Sequence, residues 1–254
     1  MRYFGWLAAS AAMGIAAPAW AGETPLYQPA PAWITPAVMP KIAVGADAPT
    51  TLILDNQYRI EKGQLWSYAD IATRAGSAEE LTRLSSLTLP WAPDKGDLII
   101  HQLSILRGDE VIDVLADGAR FEVLRREEGL EKRILNGALT ATMSIPGAQI
   151  GDVLRYSFTT TTDEQVLDDE MEYVNVVMAK PVPLAQGRMI LSWPEDEDVR
   201  WATTRVDAPI EEATRDGYDY VTIALPAAEP TVPRNTKVVP SSFSAESLCG
   251  APAR

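Results

Sequence analysis

The stretch Ala138-Leu-Thr-Ala-Thr-Met-Ser-Ile145 alternates strictly, with Leu139, Ala141, Met143 and Ile145 on one side and Thr140, Thr142 and Ser144 on the other. Successive side chains of a strand point to opposite faces, so a period of two marks a strand with one buried face. Val153 to Thr162 repeats the pattern with Leu154, Tyr156 and Phe158 facing inward. Further strands are expected at Thr51–Ile60, Leu98–Leu106, Val111–Leu115, Phe121–Arg125, Met171–Met178, Arg188–Trp193, Val199–Val206 and Tyr218–Leu225. Between them stand Arg107-Gly108-Asp109, Asp117-Gly118, Asn136-Gly137, Pro146-Gly147 and Asp216-Gly217. Gly, Asn and Asp tolerate the positive φ of tight turns. Many short strands separated by turns predict an all-β fold, mainly an antiparallel β-sandwich. One short helix is expected from Ser77, with Glu80 completing a capping box and Leu81 and Leu84 forming its apolar stripe.

Outward from this body the chain changes character. Residues 22–50 carry Pro25, Pro29, Pro31, Pro36, Pro40 and Pro49. Proline lacks an amide donor, so this reads as an extended lead-in outside any central sheet, with Trp33 and Ile34 available to dock it. Residues 1–21 read as a signal peptide: Arg2, an apolar run from Trp6 to Ala17, the helix breaker Pro18, then Ala19-Trp20-Ala21. Cleavage is expected between Ala21 and Gly22, which predicts a periplasmic or secreted protein with no transmembrane segment after signal removal. The β domain is expected over residues 51–232, and 233–254 as an irregular tail. Of 254 residues, 46% are hydrophobic and 22% charged, an ordinary globular balance. The net charge of −13 repels a phosphate backbone and excludes nucleic acid as a main partner.

Scarcity constrains the chemistry. The chain has one histidine, His101, and one cysteine, Cys249. A zinc site built from Cys and His needs more of both, and a Cys or Ser nucleophile needs a nearby base. His101 lies at strand spacing with Ile99, Leu103 and Ile105, which predicts a packed structural residue. No catalytic residue, cofactor or metal ligand is therefore assigned, and the expectation is a protein that is not an enzyme. Arg107-Gly108-Asp109 reads as a turn, although the tripeptide is also an integrin-binding one. Two acidic runs, Asp163-Glu164 with Asp168–Glu170 and Glu195–Asp198, offer oxygen ligands for calcium but lack the calcium-loop spacing. They read as solvated loops, as does the mixed-charge segment Arg125–Glu131. The scattered tryptophans read as packing anchors ahead of a carbohydrate platform.

The segments Trp91–Gly108, Val111–Leu115, Phe121–Glu127, Leu139–Thr142 and Ile150–Phe158 together resemble a bacterial domain of unknown function. That domain stands at the N-terminus of exported proteins, ahead of a transglutaminase-like core. The family pattern has a proline-containing lead into a strand, an Arg-Asp-Gly-like turn, an Arg-Arg-Glu segment and a Val-Gly-Asp strand start. Here the turn is Arg107-Gly108-Asp109 and the strand start Ile150-Gly151-Asp152. The resemblance implies a β-sandwich module working with a Cys-His-Asp unit that this sequence does not reach. Cys249 does not take the nucleophile's part, since no histidine follows it. The first reading is thus a non-catalytic exported module, binding or accessory to a transglutaminase-like protein system or a cell-envelope polymer. Two others stay open: a carboxylate-based or calcium-dependent hydrolase of envelope polymers, and a truncated remnant of a longer transglutaminase-like protein.

Overall fold

The two-residue turn Lys62-Gly63 has φ of +54° and +70°, the paired left-handed conformation that reverses a strand without splaying its hairpin. It joins β2 (Thr51–Glu61) to β3 (Gln64–Arg74), the long central hairpin of the molecule. The structure, a computed structural model, describes residues 22–41, 48–125, 137–163, 173–174, 184–203 and 209–225. Its other strands are β1 (Leu26–Tyr27), β4 (Ser86–Trp91), β5 (Leu98–Arg107), β6 (Glu110–Asp113), β7 (Glu122–Arg125) and β8 (Leu139–Ser144). β9 (Val153–Asp163), β10 (Leu184–Pro194), β11 (Ile210–Arg215) and β12 (Tyr218–Leu225) follow. The helix α1 (Ala78–Leu84) starts at Ser77, whose hydroxyl accepts from the Glu80 amide as the capping motif predicts.

A large sheet runs β1-β5-β9-β3-β2-β10-β12-β11, with β6 also paired to β5. A small sheet runs β4-β8-β7. Pairing is antiparallel except for β1 beside β5 and β2 beside β10. The fold is all-β, and the small sheet packs on the β5–β9 end of the large one. Between them lie Leu87, Leu89 and Trp91 of β4, Leu139, Ala141 and Met143 of β8, and Leu98, Ile100, Leu103, Ile105 and Leu154 below. Burying each such side chain contributes about 1.5–3 kcal/mol, so this sandwiched layer is the main source of stability. A second apolar cluster, around Trp193, Val221 and Ile223, covers the same face at the β10–β12 end. Among the described residues, no helix is long and apolar enough to cross a membrane.

Several expected elements shift. Val199–Val206 is not a strand over its described part, 199–203. The place beside β12 is taken instead by β11 through the Asp216-Gly217 hairpin, and Val199 and Trp201 pack irregularly on the Trp193 cluster. Val111–Leu115 yields only the short β6, because Leu115 leads into a tight helical turn at Ala116–Gly118. Of Met171–Met178 only Tyr173 and Val174 are described, and they are not in a strand. The cleavage site after Ala21, most of the first acidic run, the segment 126–131 and the tail 226–254 lie outside the described residues.

Candidate functional site

Because side chains alternate, β2 presents Asp55, Gln57 and Arg59 to one face of the large sheet and Asn56 and Tyr58 to the other. The first face is polar yet buried, with Asp55 and Asp70 only 1% and 2% exposed. These two aspartates stand directly opposite each other on β2 and β3. Like charges so placed repel, and each is neutralised from its outer side. Arg188 of β10 grips Asp55 with two bonds of 2.8 Å. Arg155 of β9 grips Asp70 at 3.1 and 2.6 Å. The result is a ladder of charges, plus-minus-minus-plus, across four strands. Its hydrogen bonds to the aspartates raise both arginine pKa values further, so Arg155 and Arg188 stay charged at neutral pH.

The proline-rich lead-in lies over this ladder. Nη2 of Arg155 donates to the Ala37 carbonyl at 3.1 Å, and Nη2 of Arg188 donates to the Thr35 carbonyl. The Gln57 side-chain amide accepts from the Thr35 amide at 3.0 Å and donates to its carbonyl at 2.7 Å. Buried side chains therefore supply the bonds that a neighbouring strand would otherwise give, and a segment too rich in proline for a central strand is still fixed in place. Among the described residues the lead-in forms a strand of the sheet only at the two-residue edge strand β1.

His101 sits under the same lead-in. The β5–β9 register shifts between Ile100 and Gln102, so a bulge falls at His101. That extra residue places Leu103 and Ile105 in the sandwich core while His101 meets the lead-in, which corrects the expectation that they share a face. Nδ1–H donates to the Gln28 carbonyl at 2.8 Å, which leaves Nε2 to accept from the Thr159 hydroxyl at 2.7 Å. The ring stacks on Tyr68 with centroids 5.8 Å apart. Burial lowers the His101 pKa and raises that of Tyr68 to about 12, so both are neutral at pH 7.

The two quoted sequence motifs meet. Arg107, which opens the Arg-Gly-Asp turn, binds Asp152 of the Ile-Gly-Asp strand start through two bonds of 2.9 and 2.7 Å. Asp152 also accepts from the Gln149 amide at 2.8 Å, and its pKa is held low chiefly by the Arg107 bond. This clamp ties the end of β5 to the start of β9, and Gly108 at φ +59° makes the turn. Glu195–Asp198 follows β10 as a turn, where Glu197 accepts from the Lys62 amide at 3.2 Å. Asp163 accepts from Gln64 at 2.9 Å. Among the described residues no three His, Cys, Asp or Glu side chains are grouped to hold a metal.

The opposite face of the large sheet carries a groove of about 360 Å³. It lies over β2, β3 and β9 and is lined by Asn56, Tyr58, Ser67, Phe158, Thr160 and Tyr173, among others. Tyr58 and Tyr173 form one wall, ring centroids 5.1 Å apart and tilted by 42°. Among the described residues the lining offers amide, hydroxyl and aromatic groups and no carboxylate, imidazole, thiol or cation. Sequence reading missed it because β3 was not recognised as a strand, and the groove floor lies on that strand.

Comparison with known proteins places this architecture. No curated protein matches the chain. A crystal structure of a "putative protease" from Parabacteroides distasonis ATCC 8503 superposes with a TM-score of 0.56 at 14% identity. The match covers 73% of this chain and 38% of that one, so the present chain spans well under half its length. That likeness is one of fold. An M1 zinc metallopeptidase from Deinococcus radiodurans matches at a TM-score of 0.29 and 11% identity, over 68% of this chain and 38% of its own. Residues 66–227 match the family described as a domain of unknown function with solved structure, DUF3857. That match spans most of the sandwich, from β3 through β12, and the chain belongs to the DUF3857 family.

Proposed function

We propose that this chain is a non-catalytic, exported binding module that serves a transglutaminase-like protein system. The observation that carries the reading is the groove over β2, β3 and β9, whose described lining has no acidic or basic side chain and mixes two tyrosines in tilted contact with hydroxyl and amide groups. Concave sites of this size with a few polar groups in an apolar wall suit recognition. Acid–base or nucleophilic chemistry asks for an ionisable pair within reach, and the paired carboxylates Asp55 and Asp70 are each gripped by an arginine under the lead-in. Those facts favour binding over the carboxylate hydrolase. Export by residues 1–21 is part of the same proposal, with processing at Gly22.

The test is a pull-down with residues 22–254 as bait, from periplasmic extract at low and high salt. A neutral groove predicts that a transglutaminase-like protein is retained at both, because screening weakens charge contacts and leaves apolar ones intact. A groove-filling Ser67→Trp variant should lose it. Failure to retain such a protein, or release of fragments from envelope polymer by the chain alone, would overturn the proposal.

A further inference from the structure

Arg107, Arg155 and Arg188 each grip an aspartate through two hydrogen bonds. Arg59, on the same face of β2 as Asp55 and Gln57, is built differently. It is only 7% exposed, yet no carboxylate lies within ion-pair distance of it among the described residues. Its Nε donates to the Ser192 hydroxyl at 3.2 Å and its Nη2 to the Tyr220 hydroxyl at 3.0 Å. The guanidinium carbon stands 3.9 Å from the centre of the Tyr218 ring and 4.9 Å from that of Trp33. Burying a cation without a counter-charge is costly, and ring faces return only part of that cost. Among the described residues Nη1 has no hydrogen-bond partner, and it is not sealed from solvent.

A second unneutralised cation stands beside it. The Arg215 guanidinium lies 4.1 Å from the Tyr220 ring centre, and its Nη2 donates to the Thr35 hydroxyl at 3.3 Å. Arg215 is exposed and likewise has no carboxylate partner among the described residues. Both guanidinium groups thus converge on Tyr220 and on lead-in residues 33–35. Planar N–H forks in this setting match a carboxylate better than any neutral group. In a protein of net charge −13 a polyanion is repelled overall, so the matching ligand carries a single charge. The flanking Trp33 and Tyr218 rings suit the apolar body of a peptide.

We propose that Arg59 and Arg215 form a receptor for one carboxylate group presented by a peptide. The site is on the opposite face from the tyrosine-walled groove and stands independently of the function proposed for it. Residues 22–254 are titrated by tryptophan fluorescence with three probes: N-acetyl-trialanine, its C-terminal amide, and N-acetyl-Ala-Glu-Ala-amide. Inorganic phosphate is a fourth. Saturation by the first probe identifies a peptide C-terminus as the ligand, and by the third an acidic side chain. The plain amide should bind at least about tenfold more weakly than whichever peptide saturates. Arg215→Gln, at an exposed position, should weaken binding by about tenfold with an unchanged melting temperature, and Arg59→Lys should weaken it further. The proposal is overturned if neither carboxylate peptide saturates below roughly 10 mM. It is also overturned if the amide binds equally, if phosphate binds as tightly as the peptides, or if Arg215→Gln changes nothing.

Discussion

Replacing Asp70 by alanine tests the charge ladder at one of its two buried carboxylates. The substitution removes two bonds to Arg155, of 3.1 and 2.6 Å, and among the described residues leaves that cation the Ala37 carbonyl alone as a hydrogen-bond partner. Breaking a buried ion pair from one side costs about 3–5 kcal/mol. Two features reduce it here. The Arg155 side chain is 19% exposed, so water reaches the orphaned charge, and the estimate moves to the lower end. Loss of Asp70 also relieves its repulsion with Asp55 directly opposite, worth about 0.2–1 kcal/mol. The net expectation is about 2–3 kcal/mol, a large share of the 5–15 kcal/mol that holds a typical domain. In urea unfolding followed by tryptophan fluorescence, with a slope near 2 kcal/mol/M, the midpoint should fall by roughly 1–1.5 M. Arg155→Met on top of Asp70→Ala should recover part of the loss, because the unpaired charge is gone. A midpoint shift below about 0.3 M, or strictly additive single effects, would refute the reasoning.

Three further outcomes follow from other parts of the fold. A Cβ on Gly96 would lie 2.0 Å from the Thr161 carbonyl oxygen, so Gly96→Ala must push the 95–97 loop off β9. It should cost more than the roughly 1 kcal/mol of an ordinary Gly effect, measured by the same unfolding curves. His101 is the only histidine and its pKa is lowered by burial. Its stabilising contribution is therefore complete above the unfolded value near pH 6.5 and declines as pH falls toward the folded value. Thermal melts between pH 7 and 5 should show that decline in the native chain and lose it in His101→Gln. Asp152 is held low by Arg107, so its contribution is complete above about pH 4 and is lost as pH falls through the folded value. Asp152→Asn should thus be clearly less stable than the native chain at pH 7, with the gap closing at pH 3.

What the sequence disclosed depended on whether polarity alternates along an element. β8 and β9 could be read directly, because Leu154, Tyr156 and Phe158 of β9 face the sandwich core while Ser157, Thr159 and Thr161, also buried on the other face, are small hydroxyl residues. β3 is covered on both sides, with Asp70 and Ala72 under the lead-in and Leu65 and Ala69 on the groove side, so its pattern is blurred. β4 alternates cleanly at Leu87, Leu89 and Trp91, a signal that Pro90 obscured; as an edge strand of the small sheet it tolerates that proline. The His101 bulge inverted the facing of the residues after it, which no periodicity argument reveals. The Arg107 and Asp152 motifs were visible as separate pieces, and only the β5–β9 pairing brings them into contact. The charge ladder escaped altogether, since Asp55, Asp70, Arg155 and Arg188 are scattered along the chain and each looks like a solvent-facing residue.

The most direct measurement of the central claim, recognition through the tyrosine-walled groove, is site-specific photo-crosslinking in the cell envelope. A benzophenone side chain is placed at Ser67 in the groove, and at exposed Glu211 on β11 as a control. The account predicts a discrete crosslinked transglutaminase-like protein from position 67 and none from position 211. Equal labelling from both positions, or no crosslink at 67 from a chain that melts normally, would contradict it.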